Sequence, residues 1–261
     1  MAKDSKIEWT HHTANLWWGC EEVHEGCDNC YAKAWAKRYQ PVPIWGKETP
    51  RMEIKGVWKA FEKYQRLAEA AGEVHRVFVG SMMDIAEKPM FLINRLGVQA
   101  IDVNDNSPID NTHIRQRYFN EVIPSTPNLL HLLLTKRPSN FNKIIPERWK
   151  TSPPANVMFG TSIVKRSQLV TLLKQLKRVN GKRFLSLEPQ LENIPNIDLN
   201  GIHWVIQGGE SGPGKRPFDT DWARSMKYQC QVQQVPYFFK QVDKIQSIPD
   251  DLHIRQFPVL A

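Results

Sequence analysis

Six short, unbroken apolar runs punctuate this chain, at 77–80, 130–134, 157–160, 184–187, 204–206 and 237–239. They do not alternate apolar with polar. Each therefore reads as a strand buried on both faces, the pattern of a parallel sheet. Between the runs the period changes. Leu169, Leu172, Leu173 and Leu176 fall at i, i+3, i+4 and i+7, the stripe of an amphipathic helix. A second helix is predicted from Val57 to Ala71 and is closed by Gly72. A third begins after Asp221 as N-cap and runs toward Gln234. Strand and helix in alternation predict an α/β fold, and this number of units predicts a complete or partial (β/α) barrel spanning 1–261 as one domain. The stretch from about 97 to 127 breaks the rhythm. Asp102, Asp105, Asn106, Pro108 and Asp110 make it read as a loop-rich insertion covering the site.

Each predicted strand runs into polar or small residues. The exits are Gly80-Ser81-Met82-Met83-Asp84, Thr135-Lys136-Arg137-Pro138, Gly160-Thr161-Ser162, Ser186-Leu187-Glu188-Pro189, Gln207-Gly208-Gly209-Glu210 and Lys240-Gln241. In a (β/α) barrel these exits converge on one mouth. Lys136 and Arg137 suit a carboxylate or phosphate. Asp84 and Glu188 suit ribose hydroxyls or an amine. Gly208 and Gly209 let backbone amides approach a ligand, and Glu210 suits an ammonium group. Each has a plainer reading as well, as a turn or a solvated helix start.

Three of the four cysteines are clustered in a loop at 17–31. Six residues separate Cys20 from Cys27, and two separate Cys27 from Cys30. Three thiolates on one loop can hold a metal and leave a coordination position open. Gly19 and Gly26 precede two of them and are expected to permit close backbone approach and positive φ. Three readings stand side by side. One is an iron–sulfur cluster. Another is a structural zinc completed by His11, His12, His24 or Cys230. The last is unligated core cysteines. The N-terminus is polar and then aromatic, without a signal-peptide pattern, which predicts an intracellular, cytoplasmic protein with reduced thiols. Cys230 reads as a small buried hydrophobe on a helix.

The 261 residues are 41% hydrophobic, enough for a sizeable core, and no run approaches the roughly 18 apolar residues of a membrane span. The formal net charge of +8 favours polyanionic partners, nucleic acid first. Nine tryptophans are many for this length, and Trp17, Trp18, Trp35, Trp45 and Trp58 fall early. Such rings stack on bases, shield a cluster or simply fill a core. Lys33, Lys37 and Arg38 suit phosphates.

Several stretches together resemble a known family. They are 6–10, Gly19-Cys20, Gly26-Cys27-Asp28-Asn29-Cys30-Tyr31-Ala32, 77–84, Leu134-Thr135-Lys136-Arg137-Pro138, 184–189, 204–217 and Phe238-Phe239-Lys240-Gln241. They resemble bacteriophage and prophage proteins marked by a three-cysteine motif, long a domain of unknown function. These in turn are similar to radical S-adenosylmethionine (SAM) enzymes. The resemblance implies a partial (β/α) barrel of the radical-SAM type. It implies a [4Fe–4S] cluster on Cys20, Cys27 and Cys30, with SAM bound at its open iron. It further implies that Tyr31 packs near the cluster or adenine, with Ser81 to Asp84 as an early SAM-binding candidate. Together with the strand exits, the expected cofactor-binding residues are Tyr31, Ser81, Asp84, Thr161, Gly208, Gly209 and Glu210, the expected catalytic ones are Lys136, Arg137 and Glu188, and an electron donor such as flavodoxin or ferredoxin is expected. Two features depart from that pattern. The usual cysteine spacing is three residues then two, and Gly208-Gly209-Glu210 falls late in the barrel, where it suits substrate as well as SAM. The expected reaction is isomerisation of an amino-acid-decorated thymidine in phage DNA hypermodification, in the host cytoplasm. The alternatives are another nucleic-acid-modifying or repair radical SAM enzyme, or a zinc-bound, non-catalytic nucleic-acid-binding module.

Overall fold

A computed structural model describes residue 5 and residues 7–102 and 105–259. Met1 to Asp4 and Lys6 of the N-terminal stretch, and 103–104 of the expected insertion, lie outside the described residues. Ten strands occur among the described residues. They are β1 (His12–Ala14), β2 (Trp17–Trp18), β3 (Arg51–Glu53), β4 (His75–Val79), β5 (Leu92–Ile93), β6 (Leu129–Thr135), β7 (Val157–Ser162), β8 (Lys182–Leu187), β9 (Trp204–Gly208) and β10 (Tyr237–Gln241). The helices are α1 (Tyr31–Tyr39), α2 (Val57–Ala71), α3 (Asn111–Arg117), α4 (Phe141–Ile144), α5 (Arg166–Lys177) and α6 (Thr220–Val232).

Seven strands form one sheet in the order β1-β4-β6-β7-β8-β9-β10, and every pairing is parallel. Each crossover steps one strand onward in the same direction, so the sheet curls and never reverses at a switch point. Its two ends, β1 and β10, are not paired with each other. The result is a half-barrel surrounded by helices, and the complete barrel allowed by the sequence is not formed. A small second sheet, β2-β3-β5, lies alongside. No helix among the described residues is long and apolar enough to cross a membrane.

The unbroken apolar runs have a simple cause. Alternate residues point to opposite faces of a strand, and here both faces are covered. Val77, Val79, Leu129, Leu133, Phe159, Leu185, Val205 and Phe239 pack under the helices with Phe61, Leu176 and Met226. Their neighbours Phe78, Leu130, Leu132, Met158, Phe184, Trp204, Ile206 and Phe238 form a separate cluster with Trp9 on the inner face. Register places Leu134, Gly160, Phe184 and Trp204 side by side. A Cβ at Gly160 would lie 2.3 Å from the Phe184 ring, so glycine is what admits that ring. Phe257 closes the cluster from below, 5.9 Å from the Trp204 ring and 3.7 Å from the Arg76 guanidinium.

Three expectations need correction. The third helix is capped by Asp219, whose carboxylate accepts from Asp221 N at 2.8 Å, and Asp221 lies inside the first turn. The expected insertion is not irregular throughout. Asp110 accepts from the Thr112 and His113 amides and starts α3, which continues into a π-helical turn at Tyr118–Val122. Ile114, Tyr118 and Phe119 bury that helix against the core. Finally, β1 precedes the first expected strand. Three residues are too few for a periodic signal, and pairing with Val77, Phe78 and Val79 creates the strand. The helix Val57–Ala71 is as expected, with Gly72 left-handed at φ 66°.

Candidate functional site

A cavity of about 420 Å³ opens where the strands end, within the usual range for small-molecule sites. Its floor is apolar, from Trp9, Phe78 and Leu134. Its wall continues the inner face of the sheet upward as Ser162, Ser186, Glu188 and Lys240, and the cysteine loop covers one side.

Cys20, Cys27 and Cys30 all line this cavity, and all are free thiols. The loop is built from short local bonds. Cys20 O accepts from Gly46 N at 2.9 Å, in a bridge beside Trp45. A 3-10 turn, Glu25–Cys27, is capped by His24, whose Nδ1 accepts from Gly26 N at 3.1 Å. Cys30 N donates to Cys27 O at 3.2 Å, and Cys30 is the N-cap of α1. Gly19 meets its expectation. Its φ is 115°, and a Cβ there would lie 2.2 Å from Ile44 O. Gly26 meets half of its own. It sits against Val164 and His24, where a Cβ would be 2.7 Å from Val164 Cγ1, but its φ is not positive.

Two arginine–carboxylate pairs anchor the loop at its ends. Arg137 Nη1 lies 2.8 Å from Asp84 Oδ2, while its Nη2 donates to Glu21 O at 3.0 Å. Asp84 also accepts from the Ala86 and Lys136 amides and the Thr135 hydroxyl. At the other end Arg216 Nη2 lies 2.6 Å from Glu210 Oε1 and donates to Glu25 O at 3.0 Å. Asn29 Nδ2 donates to Glu210 Oε2 at 2.9 Å. Burial opposes ionisation of Glu210, but the bonds from Arg216 and Asn29 prevail and hold its carboxyl below the usual range. Beneath the loop the fully buried Arg51 and Glu87 pair at 2.5 Å, and Arg51 binds the carbonyls of Ile44, Gly46 and Thr49.

The expected site residues therefore separate into groups. Tyr31, Ser81, Lys136, Glu188 and the three cysteines line the cavity. Tyr31 donates to Ser81 O at 2.8 Å, and Ser81 Oγ accepts from Asn15. Glu188 Oε1 lies 2.8 Å from Lys240 Nζ. Arg137, Asp84 and Glu210 reach the cavity too, but their charged atoms are engaged in the two anchors. Thr161 is a correction. It points to the face opposite Ser162, donates to Thr135 O at 3.0 Å and is fully buried outside the cavity. Strand alternation makes Ser162 the cavity residue. Gly209 lines the cavity and is required by packing, whereas Gly208 lies outside the lining and is only tightly placed. A Cβ at Gly208 would be 3.1 Å from Glu188 Oε1, and one at Gly209 would be 2.0 Å from Val242 O. The Gly209 amide already donates to Gln241 O. Sequence reading missed Asn29, Ser162, Arg216 and Lys240's pairing with Glu188. All four stood inside quoted stretches, Arg216 within 204–217 and Ser162 at a strand exit, but nothing local showed which partners they would meet.

None of the candidate fourth ligands for zinc lines the cavity. His11 and His12 lie at the start of β1, at the end of the sheet away from the cavity. His12 Nε2 is 3.0 Å from His75 Nδ1. Cys230 is buried in the helix-side core, where burial pushes its thiol up to about 12. His24 uses Nδ1 as an acceptor, so in the neutral ring Nε2 carries the proton, and that nitrogen is buried without a hydrogen-bond partner outside the cavity lining. Burial, reinforced by the charge of Lys136, lowers His24 to about 4, which keeps it neutral near pH 7. Burial also raises the Cys20 thiol, with Asp84 and Glu87 adding to it. Among the described residues no three His, Cys, Asp or Glu side chains stand gathered as a ready metal group. The donor set itself, three soft thiols on one loop facing one cavity, fits an iron–sulfur cluster.

The charges of the mouth do not cancel. Its carboxylates Glu21, Glu22, Asp84, Glu188 and Glu210 are paired with Lys88, Lys33, Arg137, Lys240 and Arg216. Lys136 and Lys244 also line the cavity and have no carboxylate partner among the described residues. The lining itself carries five carboxylates and four cations, but the carboxylates are all paired, which leaves Lys136 and Lys244 able to meet an anionic group of a ligand.

The molecule is thus an α/β half-barrel with a thiol-lined cavity, bearing two lysines without a carboxylate partner among the described residues, at the carboxyl ends of its strands. Residues 4–251 match the family model described as a protein of unknown function (DUF5131), and the chain belongs to that family. No curated protein and no solved structure matches it.

Proposed function

We propose that the chain is a radical SAM iron–sulfur enzyme that acts on nucleic acid, in its most specific form an isomerase of an amino-acid-substituted thymidine. One observation carries this reading. Three thiols from one loop line a cavity at the carboxyl ends of a half-barrel, and the side chains able to close a four-ligand zinc site stand elsewhere or are engaged. Cys20, Cys27 and Cys30 would hold a [4Fe–4S] cluster and leave a coordination position for SAM. Bound together, cluster and SAM supply one-electron cleavage and hydrogen abstraction from an unactivated C–H bond.

The remaining roles belong to the protein. Arg137 and Arg216 hold the cysteine loop through Glu21 O and Glu25 O. Lys136, unpaired at the mouth, takes the carboxylate of the adduct. Ser162, Ser186 and the Glu188–Lys240 pair face the ligand as the polar wall, and Trp9, Phe78 and Leu134 exclude water below it. An external flavodoxin or ferredoxin would deliver the electron. Lys136 and Lys244, without carboxylate partners among the described residues, support a phosphate- or carboxylate-bearing substrate.

The test is anaerobic purification with iron, sulfide and zinc analysis. Dithionite reduction and electron paramagnetic resonance follow, with and without SAM. A brown protein whose reduced signal changes on adding SAM is the expected result. Conversion of the modified thymidine by that protein would establish the isomerase. A colourless zinc protein, indifferent to SAM after iron–sulfide reconstitution, would leave the nucleic-acid-binding module instead.

A further inference from the structure

Helix α1 begins at Cys30 and leads away from the cavity. Its outer face is unusual for a helix beside a site. Tyr31, Trp35 and Tyr39 are 56%, 40% and 55% exposed, and they follow one another at i, i+4 and i+8. That spacing sets them on one side, about 6 Å apart along the axis. The rings touch. Trp35 lies 4.9 Å from Tyr39 and meets Trp18 edge-on at 5.0 Å. The adjacent face, Ala32 and Ala36, is buried. Core packing therefore accounts for the alanines and leaves the aromatic ridge in solvent. Arg38 flanks it, with its guanidinium 5.2 Å from the Tyr39 ring, whereas Lys33 and Lys37 fall on the far side of the helix, and the helix carries no acidic residue. Tyr31 is both the first ring of the ridge and a wall of the cavity.

We propose that this ridge binds single-stranded nucleic acid and guides it to the cavity. The inference rests on the nucleic-acid substrate proposed above and names the surface that would hold it. Bases stack on the exposed rings, and Arg38 meets the backbone beside Tyr39. An axial spacing of about 6 Å exceeds the 3.4 Å of stacked duplex bases, so the surface fits a stretched single strand and not a duplex. A strand laid along it would reach the cavity at Tyr31, where a target base leaves the strand.

The experiment is fluorescence anisotropy of a labelled single-stranded oligonucleotide with the full chain, across a series of salt concentrations. Tyr39→Ala should weaken binding about tenfold, and Trp35→Phe should preserve most of it, because a smaller ring still stacks. Arg38→Gln should lower the salt slope by about one, while Lys37→Gln, on the far side of the helix, should leave it unchanged. All four residues are exposed, so unchanged melting temperatures identify folded variants. Iron content measured on the same preparations reports the cluster separately and should match the unsubstituted protein. Absence of oligonucleotide binding would overturn the proposal whatever the iron content. So would binding that ignores Tyr39→Ala, or duplex bound as tightly as single strand, since either would mark charge attraction alone.

Discussion

The floor and the mouth of the half-barrel are made by the same strands, in the same register, on the same inner face. Yet they are different materials. The floor is a ring cluster in which Trp204 meets Trp9 at 6.1 Å, Phe184 at 6.2 Å and Phe238 at 6.3 Å. The mouth, two residues further along each strand, turns to serine, lysine and glutamate. Stability is concentrated in the lower layer, and the chemical groups are held by the upper one. The mouth reaches order by a different route, through ion pairs that tie the cysteine loop to the ends of β6 and β9. A site of this kind can vary its ligand groups without disturbing the core beneath.

The largest effect should come from the floor. Trp204→Ala removes a fully buried ring and should cost about 3–5 kcal/mol in urea unfolding. If that loss were under about 1 kcal/mol, the floor would not be the stabilising layer. Next comes the anchor of the mouth. Arg216→Met leaves the Glu210 carboxylate buried without its cation and should cost about 2 kcal/mol, less than a fully buried pair because Arg216 is partly exposed. It should also speed the reaction of Cys27 and Cys30 with a thiol reagent several-fold. Unchanged thiol rates would show that the loop holds its shape without the anchor.

Acid should act on the core under the helices before it reaches the mouth's pairs. His131 is fully buried between the Tyr118 and Thr126 hydroxyls, and burial lowers it to about 3. Its folded pKa is below the unfolded value, so the unfolded chain takes the proton first as pH falls. Its contribution is complete above about pH 6.5 and declines toward pH 3. Between pH 6.5 and 5 this one group should account for about 2 kcal/mol of lost stability. His131→Gln should flatten the dependence of unfolding free energy on pH over that interval, and an unchanged slope would point to other groups. The smallest effect on stability belongs to Lys136→Gln, within about 0.5 kcal/mol because no partner is broken. The same change should weaken binding of an anionic nucleotide about tenfold by calorimetry, which would separate a ligand group from a structural one.

Much of this architecture is legible in the chain. Both-sided burial leaves unbroken apolar runs, and six of the seven strands of the half-barrel show themselves that way. The Leu169 to Leu176 stripe marks α5, and Gly72 marks the end of α2. The missing strand, His12–Ala14, exists only through its neighbour β4. Helix α3 did carry a signal, Asp110 as cap followed by Ile114 and Tyr118 on one face, which the surrounding polar residues hid. Thr161 and Ser162 were both visible at a strand exit, but deciding which one faces the cavity requires the register of β7 against β8.

Sequence alone determined the local parts: the strands, the long helices, the three clustered thiols and the polar residues that follow each strand. These depend on period, capping and spacing, which neighbouring residues set by themselves. Tertiary structure alone decided what those polar residues do. Arg137 and Asp84 are 53 residues apart, and Asn29 and Glu210 are 181 apart. Only the curl of the sheet brings each pair together. Once paired, Arg137 and Glu210 have their charged atoms committed to the loop, while Lys136 has no carboxylate partner among the described residues. A charge at close range in a half-buried site is spent on the nearest opposite charge, and chain order does not reveal which one that is.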